Sequence, residues 1–303
     1  MTRSSLTQPL PLVVVGSVLI AWSGIFVRLA GLPPTVSAFL RCAYALPALA
    51  LIALWWLRSG RATPLTARAR LWSVGAGVCF GIDLLLWHVA IGAVGAGLAT
   101  VLGNSQVVFF PLAAWLVWRE SPTLRQLAVL PILLVGVVLI SGAVGADSYG
   151  SDPLLGAVTG ALTGVAYAGF LLCLRAGGES GDGAPPVEAL GIATAVAAAV
   201  TAVAGVVHGS FDLTPTWPAH GWMLLLALLC QVLAWLLIAG SLNRMRAARI
   251  SILLLIQPVT ALVLGVLVLA EDPNLAQWLG TALVLAGVGL GAGGGAGARR
   301  APR

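Results

Sequence analysis

An aspartate stands inside one apolar run, Asp83 in FGIDLLLWHVAI, and an arginine inside another, Arg41 in AFLRCAYALP. A carboxylate in hydrocarbon costs roughly 2.5–3.5 kcal/mol on insertion scales, so each such residue needs a reason. Two reasons are open for Asp83. It holds a substrate cation or a coupling proton, or it pairs with Arg41 and ties two helices together. Arg41 has matching alternatives: counter-ion of Asp83, or bidentate grip on a substrate carboxylate. Counted from the outer ends of their runs, the two depths differ by roughly 4–5 Å at 1.5 Å per residue, within reach of an arginine side chain.

Other polar residues gather in the same kind of setting. Trp87 lies four residues after Asp83 and shares its helix face, whereas His88 points elsewhere. Thr100 and Asn104 share a face and are followed by Ser105, Gln106 and Pro111. A later run repeats this chemistry with Ser251, Gln257, Pro258 and Thr260. A proline inside a helix removes the hydrogen bond to the carbonyl four residues earlier. The carbonyls of Val107 and Leu254 are thereby free to bind polar ligand groups or to allow bending, unless neighbours satisfy them. Gly156, Gly160 and Gly164 recur at spacing four, a face for close helix contact. Thr159, Thr163 and Tyr167 form the adjacent face, which could line a cavity. Trp22 and Trp235 could be cavity walls, interface anchors or packing.

The elements that position these residues are apolar and long. Of the 303 residues, 59% are hydrophobic and 9% charged. A soluble domain carries about 25% charged residues, so the bilayer is the expected solvent. Stretches of span length lie near 10–30, 35–57, 71–92, 95–118, 124–144, 153–174, 187–207, 220–240, 248–270 and 276–294. The first reads as a retained span, not a cleaved signal. Cys42, Cys79, Cys173 and Cys230 all fall in apolar runs without a C-x-x-C pair and read as small core residues.

Every one of the 16 basic residues is arginine. Fourteen of them fall in alternate loops or at the termini, Arg58, Arg61, Arg68 and Arg70 forming the largest group. The intervening loops carry acid instead: Asp147, Asp152, Asp212, Glu271 and Asp272. This asymmetry predicts both termini on the cytoplasmic side. It also accounts for the basic net charge without nucleic acid.

The halves resemble each other. At an offset of 151, Gln106 falls on Gln257, Glu120 on Glu271, Gln126 on Gln277 and Gly136 on Gly287. At 148, Asp83 falls on Gln231 and Trp87 on Trp235; at 145, Trp22 and Gly24 fall on Tyr167 and Gly169. Each repeat holds five spans, an odd number, so the second is expected to be inverted, as in secondary transporters with a midplane site.

With these residues in view, the chain resembles EamA-type members of the drug/metabolite transporter superfamily. AWSGIFVRLAGLPPTVSAFLRCAYALP resembles the family's first two spans, with Arg41 at a recurrent arginine. DLLLWHVAIGAVGAGLATVLGNSQVVFFPLAAWLVWRE resembles spans three and four, ending in the family's acidic residue, Glu120. LLLIQPVTALVLGVLVLAEDP resembles the matching part of the second repeat. Arg28 replaces the usual lysine of the first span, and Trp22-Ser23-Gly24 alters the motif before it. The resemblance implies ten helices in two inverted five-helix repeats, and transport of amino acids, nucleosides, amines or other metabolites.

The sequence therefore reads as an all-α integral membrane protein with repeats at 10–145 and 152–294 and a flexible basic tail at 295–303. The expected function is alternating-access transport of a small metabolite, with export favoured, in a bacterial cytoplasmic membrane. Candidate substrate or coupling residues are Trp22, Arg41, Asp83, Trp87, His88, Thr100, Asn104, Tyr167, Gln231, Trp235 and Gln257, with Pro111 and Pro258 as helix kinks. No cofactor or metal is expected. The partners are the lipid bilayer and a small solute, with proton coupling open. An integral membrane enzyme on lipid-linked substrates and a channel or scaffold are the alternatives. The first would need clustered catalytic acids or metal ligands, and His88, His208 and His220 are scattered.

Overall fold

The computed structural model describes residues 9–59, 64–119, 124–140, 149–179, 186–209, 211–242, 253–254 and 256–292. Among these residues every regular element is helical. The first expected span is two helices, α1 (Pro9–Ala21) and α2 (Ser23–Ala30), meeting at Trp22. Then follow α3 (Pro34–Arg58) and α4 (Ala67–Val94). The fourth span is again split, into α5 (Ala96–Gly103) and α6 (Gln106–Trp118). α7 (Leu124–Ile140), α8 (Pro153–Glu179) and α9 (Pro186–Val207) are continuous. α10 (Ala219–Leu226) runs into a π-helical segment (Ala227–Ala234) and then α11 (Trp235–Leu242). α12 (Ile256–Leu269) and α13 (Leu275–Ala292) close the described chain.

Local chemistry sets many of these ends. Pro34 opens α3 at a position whose N–H has no helical partner. Thr66 caps α4 by accepting from Ala69 N at 3.2 Å. The Oδ1 of Asp152 accepts from Leu155 N at 3.0 Å at the start of α8. Asn274 and Gln277 form a reciprocal box at the start of α13: Gln277 N donates to Asn274 Oδ1 at 2.9 Å, and Asn274 N donates to Gln277 Oε1 at 3.1 Å.

Seven helical stretches among the described residues are long and apolar enough to cross a membrane, with α12 and α13 as shorter apolar helices. Large hydrophobic side chains face outward, Leu71 at 72%, Leu116 at 78% and Leu267 at 76% exposure. In water such a surface would drive association, and in lipid it is the solvent-matched one. The chain is a multi-pass membrane protein.

Close approach between helices holds the bundle together, because lipid removes the hydrophobic drive for helix association. α4 packs on α8 and α9, and α3 on α9. α7 pairs with α13, and α5 with α12. α5 and α6 also touch α8; α1 meets α11 and the π segment, and α2 meets α10. Gly77 and Gly81 let α4 sit directly on α9, where added Cβ atoms would lie 2.5 Å and 2.7 Å from Val196 and Val200. The Gly156, Gly160 and Gly164 face packs as its spacing suggests, against Val94, Leu102 and Ser105.

The fourth span is broken ahead of its proline. The break in the fourth span falls at Asn104–Ser105, ahead of Pro111, and α6 runs through that proline. The Nδ2 of Asn104 donates to Thr100 O at 2.9 Å, and Ser105 N turns back to Leu102 O at 3.0 Å. A side-chain amide competing for the helix's own carbonyls, together with this tightened turn, ends α5 there. Pro258 lies near the start of α12, and Leu253 and Leu254 before it are helical as well. Ser251 and Glu120 lie outside the described residues.

Candidate functional site

A cavity of about 60 Å3 lies where α1–α2, α3, α4, α5, α8, α11 and α12 converge. That volume admits a few water molecules. Its wall brings together eight of the expected residues: Arg41, Asp83, Trp87, Thr100, Asn104, Tyr167, Trp235 and Gln257. Phe80, Ser23 and Thr163 complete the part of the wall that matters chemically. Phe80, Leu84 and Trp87 recur at spacings of four and three on α4, so Phe80 was findable as the same stripe continued one turn back.

The two charged groups share the cavity without pairing. Arg41 is 4% exposed and Asp83 is 7% exposed. The Nε–H of Arg41 donates to Gln231 Oε1 at 2.8 Å. Its guanidinium lies over two rings, 5.7 Å from the centroids of both Phe80 and Trp87. No ion-pair contact joins it to Asp83, so the direct pair suggested by matching depths is not made. The reason is local: Gln231 and the two rings already fix the guanidinium on its own side.

Five buried polar atoms around this space have no hydrogen-bond partner among the described residues: Ser23 Oγ, Asn104 Oδ1, Tyr167 OH, Trp235 Nε1 and Gln257 Nε2. Native structures leave few such groups, because each costs about 1–3 kcal/mol when unsatisfied. Five lie on one wall, beside a carboxyl and a guanidinium. The aromatic wall is rigid. Phe80 stacks on Phe170 at 4.6 Å, and Trp235 meets Phe170 and Tyr167 edge-on at 5.0 Å and 6.0 Å.

Three expected residues stand off the wall. Trp22, at the α1–α2 junction, stacks on Phe26 at 5.9 Å. His88 is buried, with Nδ1 on Leu84 O at 2.7 Å, and its ring packs edge-on against Trp87. Gln231 is fully buried behind Arg41, and its Nε2 donates to Thr194 Oγ1 at 3.3 Å. Of the kink residues, Pro258 does not line the cavity.

One feature had no signal beyond its place in the repeat. The Glu271 carboxylate accepts from Ala96 N at 2.5 Å and Gly97 N at 3.0 Å, capping α5. Gly95, Gly97 and Gly265 leave room for it; a Cβ on any of them would crowd the carboxylate. Burial pushes the Glu271 carboxyl up, against the pull of the two N–H groups. Next to it, Gln277 accepts from Tyr149 N at 2.8 Å and donates to Tyr149 O at 2.8 Å. Asp152 N donates to Ala93 O at 3.3 Å. The helix ends on this side are thus laced together, chiefly by side-chain bonds to backbone groups.

Comparison with known proteins agrees with this architecture. A solved crystal structure superposes with a TM-score of 0.60 at 17% identity, over 95% of this chain and 98% of its own, which shows a shared fold. An uncharacterized transporter of Synechocystis sp. is 24% identical over 219 residues, 72% of this chain and 65% of that protein, a little under two thirds of its length. The probable 4-amino-4-deoxy-L-arabinose-phosphoundecaprenol flippase subunit ArnE of Salmonella typhimurium is 28% identical over 85 residues, 26% of this chain and 77% of its own. The profile of the EamA-like transporter family matches twice, at residues 9–142 and 154–291. The chain belongs to the EamA-like transporter family.

Proposed function

We propose that the protein is a secondary transporter that moves a small metabolite by alternating access, with the solute bound in the Arg41–Asp83 cavity. The observation that carries this reading is the wall itself: one guanidinium, one carboxyl and five unpaired polar atoms, buried together and drawn from both family-matched stretches. A solute bearing an anionic group and an amino or hydrogen-bonding group fits that set. Aromatic faces from Phe80, Trp87, Tyr167 and Trp235 suit its apolar part. Asp83 is the candidate coupling carboxyl, and export is the direction favoured.

The reading includes ten spans in two inverted repeats. Helix packing supports it. Exchange the halves span for span, and α4 on α8 becomes the α10–α11 span on the α1–α2 span, a contact that exists. α4 on α9 becomes the π segment on α3, which also exists. The pairs α3–α9, α7–α13 and α5–α12 exchange into themselves. The arginine distribution supports cytoplasmic termini and an inner-membrane location.

A second reading is movement of a lipid-linked amino sugar, favoured by the 85-residue similarity to the flippase subunit. Thermal-shift measurements on the purified protein distinguish the two. A panel of small zwitterions, amines and carboxylates should contain a stabilising solute. Stabilisation by polyprenyl-linked sugars alone would favour the second reading.

A further inference from the structure

Arg41 offers five N–H donors, and the protein uses the one on Nε. No described group takes the Nη hydrogens, which belong to the edge that binds carboxylates in fork geometry. The acceptor of the Nε–H, Gln231, has a fixed orientation. An arginine Nε–H is a donor only, so the oxygen of the amide must face it. Its Nε2 then points to Thr194 Oγ1 at 3.3 Å. Both Gln231 and Thr194 are 0% exposed. Gln231 sits within the π-helical segment Ala227–Ala234, a local change of register often found at functional positions.

We infer that Thr194 and Gln231 are a positioning pair that aims Arg41, and that Arg41 so held recognises an anionic group of the solute. This rests on the transport-site reading above. The chain Thr194–Gln231–Arg41 runs from α9 through the π segment to α3, so the aim of the guanidinium is set by the second matched stretch while the residue itself belongs to the first. Phe80 and Trp87 flank the guanidinium at 5.7 Å from their ring centroids, and Gln231 holds its Nε edge. Gln231 stands off the cavity wall and acts through Arg41.

The test uses benzoate and benzamide, equal in shape and different in charge, titrated by thermal shift against the purified full-length protein. Wild type should bind benzoate more tightly, and Arg41→Gln should erase that preference. Gln231→Leu should raise the half-saturating benzoate concentration about tenfold, the loss expected when one aimed charged hydrogen bond is misplaced. Benzamide binding should not move. Should Gln231→Leu fail to fold, Thr194→Val and Thr194→Ser carry the same test: Val should weaken benzoate selectively and Ser should restore it. An unchanged benzoate preference in Gln231→Leu or Thr194→Val, with the preference lost in Arg41→Gln, overturns the positioning role alone. A preference intact in Arg41→Gln overturns the site reading. No benzoate preference in wild type overturns anion recognition.

Discussion

Arg41 and Asp83 line one cavity without touching: the guanidinium donates to Gln231 Oε1 at 2.8 Å and makes no ion-pair contact with the carboxylate. Breaking a buried ion pair by removing one partner costs about 3–5 kcal/mol. Asp83→Asn leaves Arg41 with its amide and both aromatic faces. Thermal unfolding in detergent should therefore show a loss below about 1 kcal/mol, the scale of an ordinary neutral contact. A loss of the larger size would show that the two groups stabilise each other as a structural pair.

The unpaired polar atoms make an opposite-sign prediction for fold and binding. Tyr167 OH makes no hydrogen bond of good geometry among the described residues, so Tyr167→Phe removes a desolvated group at little cost in hydrogen bonds. Its melting temperature should stay level or rise, while affinity for the transported solute falls about five- to tenfold, the worth of one hydrogen bond. Asn104→Ala and Gln257→Ala should likewise weaken transport at normal expression. Full activity in either would misplace that side of the cavity.

Glu271 ties α12 to α5 through the N–H groups of Ala96 and Gly97. Glu271→Ala should lower stability by about 1–3 kcal/mol, since two donors at a buried helix start lose their acceptor. Glu271→Gln keeps one good acceptor oxygen and should lose less. Gly97→Ala, whose Cβ would lie 3.0 Å from Glu271 Oε2, should resemble the alanine variant. Urea or thermal unfolding of the three proteins gives the order directly. Equal stability throughout would mean that the cap does not hold the two helices.

Much of this was legible in the residues. Runs of span length located the helices, because lipid demands a fixed apolar length. Cost inside the bilayer singled out Asp83 and Arg41. What the sequence could not supply was side-chain direction over long separations. Matching depth put Arg41 beside Asp83, yet the shorter path led 190 positions along the chain to Gln231. Thr194 is one threonine among several in an alanine-rich run, and only its position against Gln231 distinguishes it. The break in the fourth span has a related reason: an asparagine amide competing for a carbonyl ends α5, and no periodicity announces it.

Topology follows from the arginines. Reporter fusions at Arg303 and between α3 and α4 should both read cytoplasmic, and one at Gly150 should read outside. A cytoplasmic signal at Gly150 would contradict the inverted-repeat arrangement, since the two matched stretches would then share one orientation.

The central claim is that one cavity binds the solute and carries its coupling carboxyl. Proteoliposomes containing the Asp83→Asn protein, tested with the solute found by thermal shift, address it most directly. The variant keeps the size and polarity of Asp83 and fixes the neutral form. It should still exchange solute across the membrane, while accumulation driven by a pH gradient is abolished. Gradient-driven accumulation at the wild-type level would contradict the account.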